Sequence, residues 1–161
     1  MTVNVQTATG PVAPEALGTT LVHEHVLFAY PGYSGDVTFG PFDHDAAMEK
    51  CLAACSSAQA FGIKTIIDVT PNECGRDPLF LRELSERSEL NIIFSTGYYY
   101  EGQGAPHYFN FRRALGFNVE DEIYEMMVRE ITTGVGDTGI CAGVIKLGSS
   151  KDTITEYEQL F

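Results

Sequence analysis

Short apolar runs alternate with amphipathic stretches along most of this 161-residue chain. The apolar runs predict four strands, at about residues 19–25, 65–69, 91–95 and 142–147. The run Thr65–Val69 is rich in Ile and Val, as is typical of a parallel strand that is buried on both faces. Residues 3–7 and a turn near Gly10–Pro11 predict a short β-hairpin before these strands.

The amphipathic stretches predict helices, and the first of them has clear boundaries. Asp43 or Asp45 caps a helix that runs to about Phe61, and Gly62 ends it. Its apolar positions have the i, i+3, i+4, i+7 spacing of one helix face: Met48, Cys51, Leu52 and Cys55.

Three further helices are predicted downstream. Asp77–Pro78 combines an N-cap with proline at the first helical position and opens a helix that ends near residue 88. Asn118 caps the next helix, whose first turn is acidic. Residues 153–156 resemble a capping box that opens a last helix, within which the sequence ends at Phe161.

Alternation of strands and helices predicts an α/β fold in which residues 1–161 form one domain around a parallel sheet. Both a doubly wound sheet and a (β/α)8 barrel fit this alternation. In either fold, functional residues collect at the carboxyl ends of the strands. His23, His25, Asp68 and Lys146 all lie at or near predicted strand ends.

His23 and His25 flank Glu24 at the end of the first long predicted strand. Because side chains on a strand alternate between its faces, both imidazoles project to the same side. Both can then reach one divalent cation, at about 2.0–2.1 Å for zinc. A His-x-His pair is also found as two ordinary surface or core histidines, so the tripeptide by itself leaves metal binding open.

Lys146 lies inside an otherwise apolar segment, Gly143–Gly148. One interpretation is a buried lysine that is paired with Asp68 or Glu24. In the other interpretation, desolvation favours the neutral amine of the lysine, which can add carbon dioxide and become an anionic carbamate that bridges two cations. The sequence pattern is compatible with both.

Composition narrows the choice of partner. A net charge of -12 and a pI near 4.6 argue against nucleic acid as a ligand. No apolar stretch reaches the roughly 18–20 residues of a membrane span, and the four cysteines form no C-x-x-C pair. The cysteine pattern predicts a cytoplasmic protein with buried thiols. The acidic charge predicts a small molecule that is neutral or weakly charged.

Five motifs occur in a fixed order and span nearly the whole chain. They are Leu21–His25, Ile67–Val69, Gly75–Asp77, Thr96–Tyr99 and Asp137–Lys146. Together they resemble the phosphotriesterase family of the amidohydrolase superfamily. The resemblance implies the first half, about four βα units, of a TIM (β/α)8 barrel with a short N-terminal hairpin.

The resemblance also implies a centre with two divalent metal ions. His23 and His25 would bind the more buried ion, and Lys146, as a carbamate, would bridge both. Zinc is the first expectation, with manganese, cobalt or iron as alternatives. A hydroxide between the metals would attack a phosphotriester, a lactone or another small neutral ester.

Tyr99 falls where members of this family carry an aromatic residue beside the metals, and a tyrosine there resembles the lactonases. The alternative for Tyr99 is packing against other loop aromatics, namely Tyr98, Tyr100 and Phe109. Asp68 and the Arg76–Asp77 pair are interpreted as scaffold, and Glu24 as a structural partner of Arg76 or of another cation. His44 and His107 are interpreted as surface residues.

The resemblance covers only part of the family's site. Two further histidine ligands, from strands 5 and 6, and the catalytic aspartate of strand 8 have no counterpart here, so no catalytic residue is assigned. Three hypotheses follow: part of a metal-dependent hydrolase, inactive by itself; a non-catalytic half-barrel with remnant ligands; or a half-barrel that pairs with a second copy as a homodimer. A binding module of unrelated fold, with an incidental His-x-His, is the alternative class.

Overall fold

The computed structural model describes residues 3–104 and 106–160 and has a curled, four-stranded parallel sheet. The strands of this sheet, in spatial order, are β3 (Thr19–Glu24), β4 (Ile63–Asp68), β5 (Asn91–Thr96) and β6 (Val144–Ile145). The hairpin of β1 (Val5–Thr7) and β2 (Gly10–Val12) is antiparallel and separate. The predicted half-barrel with an N-terminal hairpin is therefore confirmed.

The hairpin packs at the amino end of the sheet. The amide of Ala8 donates a hydrogen bond to the carbonyl of Ile92, near the start of β5, at 2.7 Å. A Cβ atom on Gly143 would lie 2.4 Å from the carbonyl oxygen of Gln6, so the hairpin also lies against the chain before β6. This packing leaves the carboxyl ends of β3–β6 to the loops that follow them.

Local capping explains three of the helices as predicted. They are α1 (His44–Ala60), α2 (Pro78–Ser88) and α4 (Val119–Thr132), and the helix α3 (Pro106–Ala114) lies between α2 and α4. Asp43 accepts the amide of Ala46 at 3.0 Å and so caps α1. Asp77 caps α2 and Asn118 caps α4 in the same way.

Two predictions about secondary structure are wrong. No helix was predicted over α3, whose first turns are rich in aromatic residues with modest helix propensity. The expected capping box at residues 153–156 forms two positions later, where Thr155 and Glu158 exchange hydrogen bonds of 3.2 Å. A single 3₁₀ turn, Glu158–Leu160, follows in place of the predicted helix.

The main core lies between the sheet and helices α1 and α2. Its fully buried side chains include Met48, Phe80, Leu84, Ile92 and Phe94. A smaller apolar cluster joins α3, α4 and the last loop through Phe109, Val119, Ile123 and Tyr157. Val22 and Ile145, in the two outer strands of the sheet, stay 69% and 57% exposed.

The described part of the chain contains no helix that is long and apolar enough to cross a membrane. All four cysteines are free, and Cys55 and Cys74 are buried as expected of structural thiols.

Candidate active site at the carboxyl ends of the strands

The two histidines of the His-x-His motif lie side by side at the end of β3. His23 is the penultimate residue of this strand, and His25 follows its last residue, Glu24. The ring centroids of His23 and His25 are 5.5 Å apart, and the ring planes are inclined at 72°. Both residues are exposed, so a ligand can reach them.

Asp68, the last residue of β4, holds the backbone around His25. One of its carboxylate oxygens accepts the amide of Val26, and the other accepts the amide of Thr70, each at 2.8 Å. Asp68 is 1% exposed, so these bonds compensate for the burial of its charge. The interpretation of Asp68 as a scaffold residue is confirmed.

Thr70 is the direct side-chain partner of His25. Its Oγ1 lies 3.0 Å from His25 Nδ1, and the same hydroxyl donates to the carbonyl of Leu27 at 3.2 Å. Partial burial lowers the pKa of His25 below its usual value. The charge of Asp68 opposes this shift, whereas His23 and Lys146 lower the pKa further. A lowered pKa favours the neutral imidazole, which is the form that binds metals.

Lys146 directly follows β6, and its positive charge acts on His25 across the site. Its backbone amide donates to the carbonyl of Thr96 at 2.8 Å, which extends the pairing of β5 and β6 by one residue. The side chain is half-buried. Among the described residues, no ion pair within 4.0 Å joins Lys146 to Asp68 or Glu24, so the predicted pairing is wrong.

His23, His25 and Lys146 can be compared with the ligands that divalent metal ions prefer. Imidazole nitrogens and a nearby lysine suit zinc and related divalent ions, provided that the lysine becomes an anionic oxygen donor. Within residues 3–104 and 106–160 there is no cluster of three or more His, Cys, Asp and Glu side chains arranged for metal binding. By donor chemistry alone, the residues present fit part of the ligand set that the resemblance implies.

Tyr99 lies in the loop after β5, at the same carboxyl end of the parallel strands as the histidines. Its ring contacts Tyr100 with centroids 4.8 Å apart, which confirms one of the aromatic contacts expected for it. Desolvation raises the pKa of Tyr99, and the nearby hydroxyls of Tyr100 and Tyr30 add to this shift. Tyr30 belongs to the loop after β3, so aromatic residues from two loops approach each other here.

Glu73 fixes the backbone at Tyr99 and was missed by the sequence analysis. Its Oε1 accepts the amide of Tyr99 at 2.8 Å. Its Oε2 is buried and, among the described residues, has no hydrogen-bond partner. Burial raises the pKa of Glu73. Asn72 holds the start of the same loop. Its side-chain oxygen accepts the amide of Gly97 at 3.1 Å, and its own amide donates to the carbonyl of Gly97 at 2.9 Å.

Replacing Glu73 with alanine is expected to free the Tyr99 amide. A hydrogen bond to a charged group contributes about 1.5–3 kcal/mol. Its loss is therefore expected to raise the exchange rate of the Tyr99 amide by roughly tenfold or more. Hydrogen exchange measured by NMR at Tyr99 tests this, with Ile93 in β5 as an internal reference. Glu73→Gln is the matched control because its amide oxygen can still accept. Equal exchange at Tyr99 in both variants would contradict the assignment.

Arg76 and Glu130 form a buried ion pair beneath the loops. The two guanidinium nitrogens lie 2.6 and 2.9 Å from the carboxylate oxygens, and both side chains are at most 10% exposed. Thr96 donates its hydroxyl to the same carboxylate at 2.5 Å, and Arg76 donates to the carbonyl of Ser95 at 3.1 Å. The predicted pairing of Glu24 with Arg76 is wrong, because Arg76 is engaged by α4 and Glu24 is exposed.

The two remaining histidines are exposed, as expected of surface residues. His44 is exposed in the first turn of α1, where its nitrogens lie 3.3 Å from carboxylates of Asp45 and Glu83. His107 is exposed in α3.

A largely apolar pocket lies beside Phe28, a neighbour of His25. Phe28 packs edge-on against His25, with centroids 5.3 Å apart, and also lines this pocket. The pocket has a volume of about 520 Å³, and its aromatic walls include Tyr33 and Phe42. A pocket of this size and character suits the apolar part of a small ligand.

Comparison with known proteins places these features in one family. Residues 3–161 match the model of the phosphotriesterase family. The chain is 31% identical to a phosphotriesterase homology protein of Mycobacterium tuberculosis over 94% of this chain and 46% of that protein. It is 29% identical to a phospho-furanose lactonase of Mycoplasmopsis agalactiae, over 91% of this chain and 40% of that one.

A solved structure gives the same result. The organophosphorus hydrolase from Deinococcus radiodurans superposes with a TM-score of 0.95 at 59% identity, over 98% of this chain and 47% of that one. The chain thus spans about half the length of the relatives it matches. An unrelated binding fold is excluded by this agreement in sequence and structure, and the chain belongs to the phosphotriesterase family.

Proposed function

We propose that this chain supplies the first half of the active site of a metal-dependent hydrolase that acts on lactones or phosphotriesters. The observation that carries the proposal is the adjacent pair of exposed imidazoles, His23 and His25, at the carboxyl end of β3. Relatives named as a lactonase and an organophosphorus hydrolase support the reaction class.

The proposed cofactors are two divalent metal ions, with zinc first and manganese, cobalt or iron as alternatives. His23, His25 and Lys146, the last as a carbamate, would hold them. A bound divalent metal lowers the pKa of a coordinated water toward neutrality and polarises the oxygen of a substrate. His25 suits this role because its lowered pKa favours the neutral form that binds metals.

The other residues of the site bind and orient the substrate. Tyr99 is proposed to contact it, with its backbone fixed by Glu73. The apolar pocket beside Phe28 receives the alkyl or aryl part of the substrate and excludes water from it. With a net charge of -12, the chain attracts no anion at long range, which favours a neutral ester, lactone or phosphotriester.

We propose that the 161 residues are inactive by themselves. Their ligand set is incomplete, and no residue of the chain is assigned as the group that orients the attacking water. A homodimer remains a prediction, and it is supported by the two open sheet edges, β3 and β6, and by exposed Val22 and Ile145 near them. A cytoplasmic location is proposed from the four free cysteines.

Zinc titration of the metal-free chain tests the proposed site. We expect saturable binding that His23→Ala weakens by at least about tenfold, because even changes around metal ligands typically cost that much. Isothermal titration calorimetry, with metal analysis after dialysis, measures both affinity and stoichiometry. His107→Ala is the matched control, since His107 is an exposed histidine outside the site. Zinc binding that is unchanged by His23→Ala would overturn the proposal.

A further inference from the structure

Thr70 occupies a buried position between two loops of the candidate site. Thr70 is 1% exposed. Its hydroxyl oxygen lies 3.0 Å from His25 Nδ1 and 3.2 Å from the carbonyl oxygen of Leu27. The hydroxyl thus connects β4 with the segment that carries both His25 and Leu27.

The proton count of these three groups restricts how they can be arranged. A hydroxyl has one proton, and a carbonyl oxygen can only accept. When Thr70 donates to the carbonyl of Leu27, its oxygen must accept from His25, so the proton of the neutral imidazole lies on Nδ1. The other ring nitrogen, Nε2, then carries the lone pair.

The backbone around Thr70 is fixed on both sides, so the hydroxyl cannot easily move away. The amide of Thr70 donates to Asp68 at 2.8 Å, and its carbonyl accepts the hydroxyl of Ser95 at 3.0 Å. The second oxygen of the Asp68 carboxylate accepts the amide of Val26, the residue after His25. One carboxylate therefore sets the separation between Thr70 and the His25 backbone.

We propose that Thr70 is a positioning residue that holds His25 in the Nδ1–H tautomer and directs Nε2 toward a divalent metal ion. This proposal rests on the proposed function, in which His25 is a metal ligand. Histidine ligands commonly donate their second ring N–H to a neighbouring acceptor, which fixes both tautomer and ring orientation. A threonine oxygen that is itself held by Leu27 provides such an acceptor.

The tautomer can be measured directly in the metal-free chain. Ring ¹⁵N chemical shifts of His25 at pH 8 are expected to report Nδ1–H in the wild type. Thr70→Ser keeps the hydroxyl and is expected to keep this tautomer. Thr70→Val has nearly the same shape without the hydroxyl, and we expect its His25 to shift toward Nε2–H. A wild-type His25 in the Nε2–H form would overturn the proposal, and this result needs no variant to fold.

Zinc affinity provides the second measurement on the same three proteins. We expect Thr70→Val to bind zinc about 10–100-fold more weakly and Thr70→Ser to stay close to the wild type. Unchanged zinc affinity in folded Thr70→Val would count against the positioning role. If Thr70→Val changes the tautomer while the wild type binds no zinc, the proposed function fails and the hydrogen-bond assignment stands. The two failures are thus distinguishable.

Discussion

Replacing Gly97 with alanine is expected to lower the free energy of unfolding by about 3–5 kcal/mol, which places it among the most damaging single substitutions. A Cβ atom at this position would lie 1.9 Å from the carbonyl oxygen of Lys146. Gly97 also has φ +126°, a conformation that side chains disfavour. Because β5 and β6 are paired at this point, relief of the clash requires the backbone that carries Lys146 to move.

Urea denaturation followed by circular dichroism measures this effect, and Gly10→Ala is the matched control. Gly10 has a similar φ of +116°, but a Cβ atom there would meet nothing within 4 Å. Its substitution therefore adds backbone strain without a clash, at a cost of about 1–3 kcal/mol. Equal losses for both variants would contradict the view that the close approach of Gly97 to Lys146 is the main cause.

Three of the helices and the central strands could be predicted from the sequence because the residues that determine them lie close together in the chain. Asp43, Asp77 and Asn118 cap helices through amides two or three residues away, so the motif and its effect lie in one short segment. The apolar runs identify the central strands for a similar reason. Their alternation with helices then leaves few topologies for a parallel sheet.

The errors arise where distant contacts decide the local structure. Glu158 accepts hydrogen bonds from Ser150 and from the amide of Glu101, 57 residues away, and these contacts hold the segment as a turn instead of a helix. A capping pattern at Thr153 cannot compete with them. Helix α3 is stabilised by Phe109, which packs in the second core against Tyr98 and Tyr157.

For the candidate site, the sequence indicated the residues with distinctive chemistry and, among the residues that hold them, Asp68 but neither Thr70 nor Glu73. His23, His25 and Lys146 were found from their places at strand ends. Thr70 and Glu73 follow β4 and act on residues 45 and 26 positions away, so no spacing rule connects them to their partners. The only signal available was that polar residues directly follow a buried strand, which is where sites form in such folds.

The Arg76–Glu130 pair is the strongest case of this kind, since 54 residues separate two side chains that meet in the interior. Arg76→Leu is expected to destabilise the chain by about 3–5 kcal/mol, because it leaves the Glu130 carboxylate buried without its counter-charge. The hydroxyl of Thr96 would be its remaining side-chain donor among the described residues. Thermal or urea unfolding measures the loss.

Two further variants test whether Arg76→Leu destabilises the chain because Glu130 stays buried as an unpaired charge or because the attraction between the two side chains is lost. Arg87→Leu breaks an exposed ion pair with Glu83 and is expected to change stability by at most about 1 kcal/mol. The double variant Arg76→Leu/Glu130→Leu removes both buried charges, so we expect it to be more stable than Arg76→Leu, although it lacks the same attraction. A double variant that is less stable than Arg76→Leu would contradict this explanation. It would mean that the hydrogen bond from Thr96 to Glu130 stabilises the chain by more than the buried charge of Glu130 destabilises it.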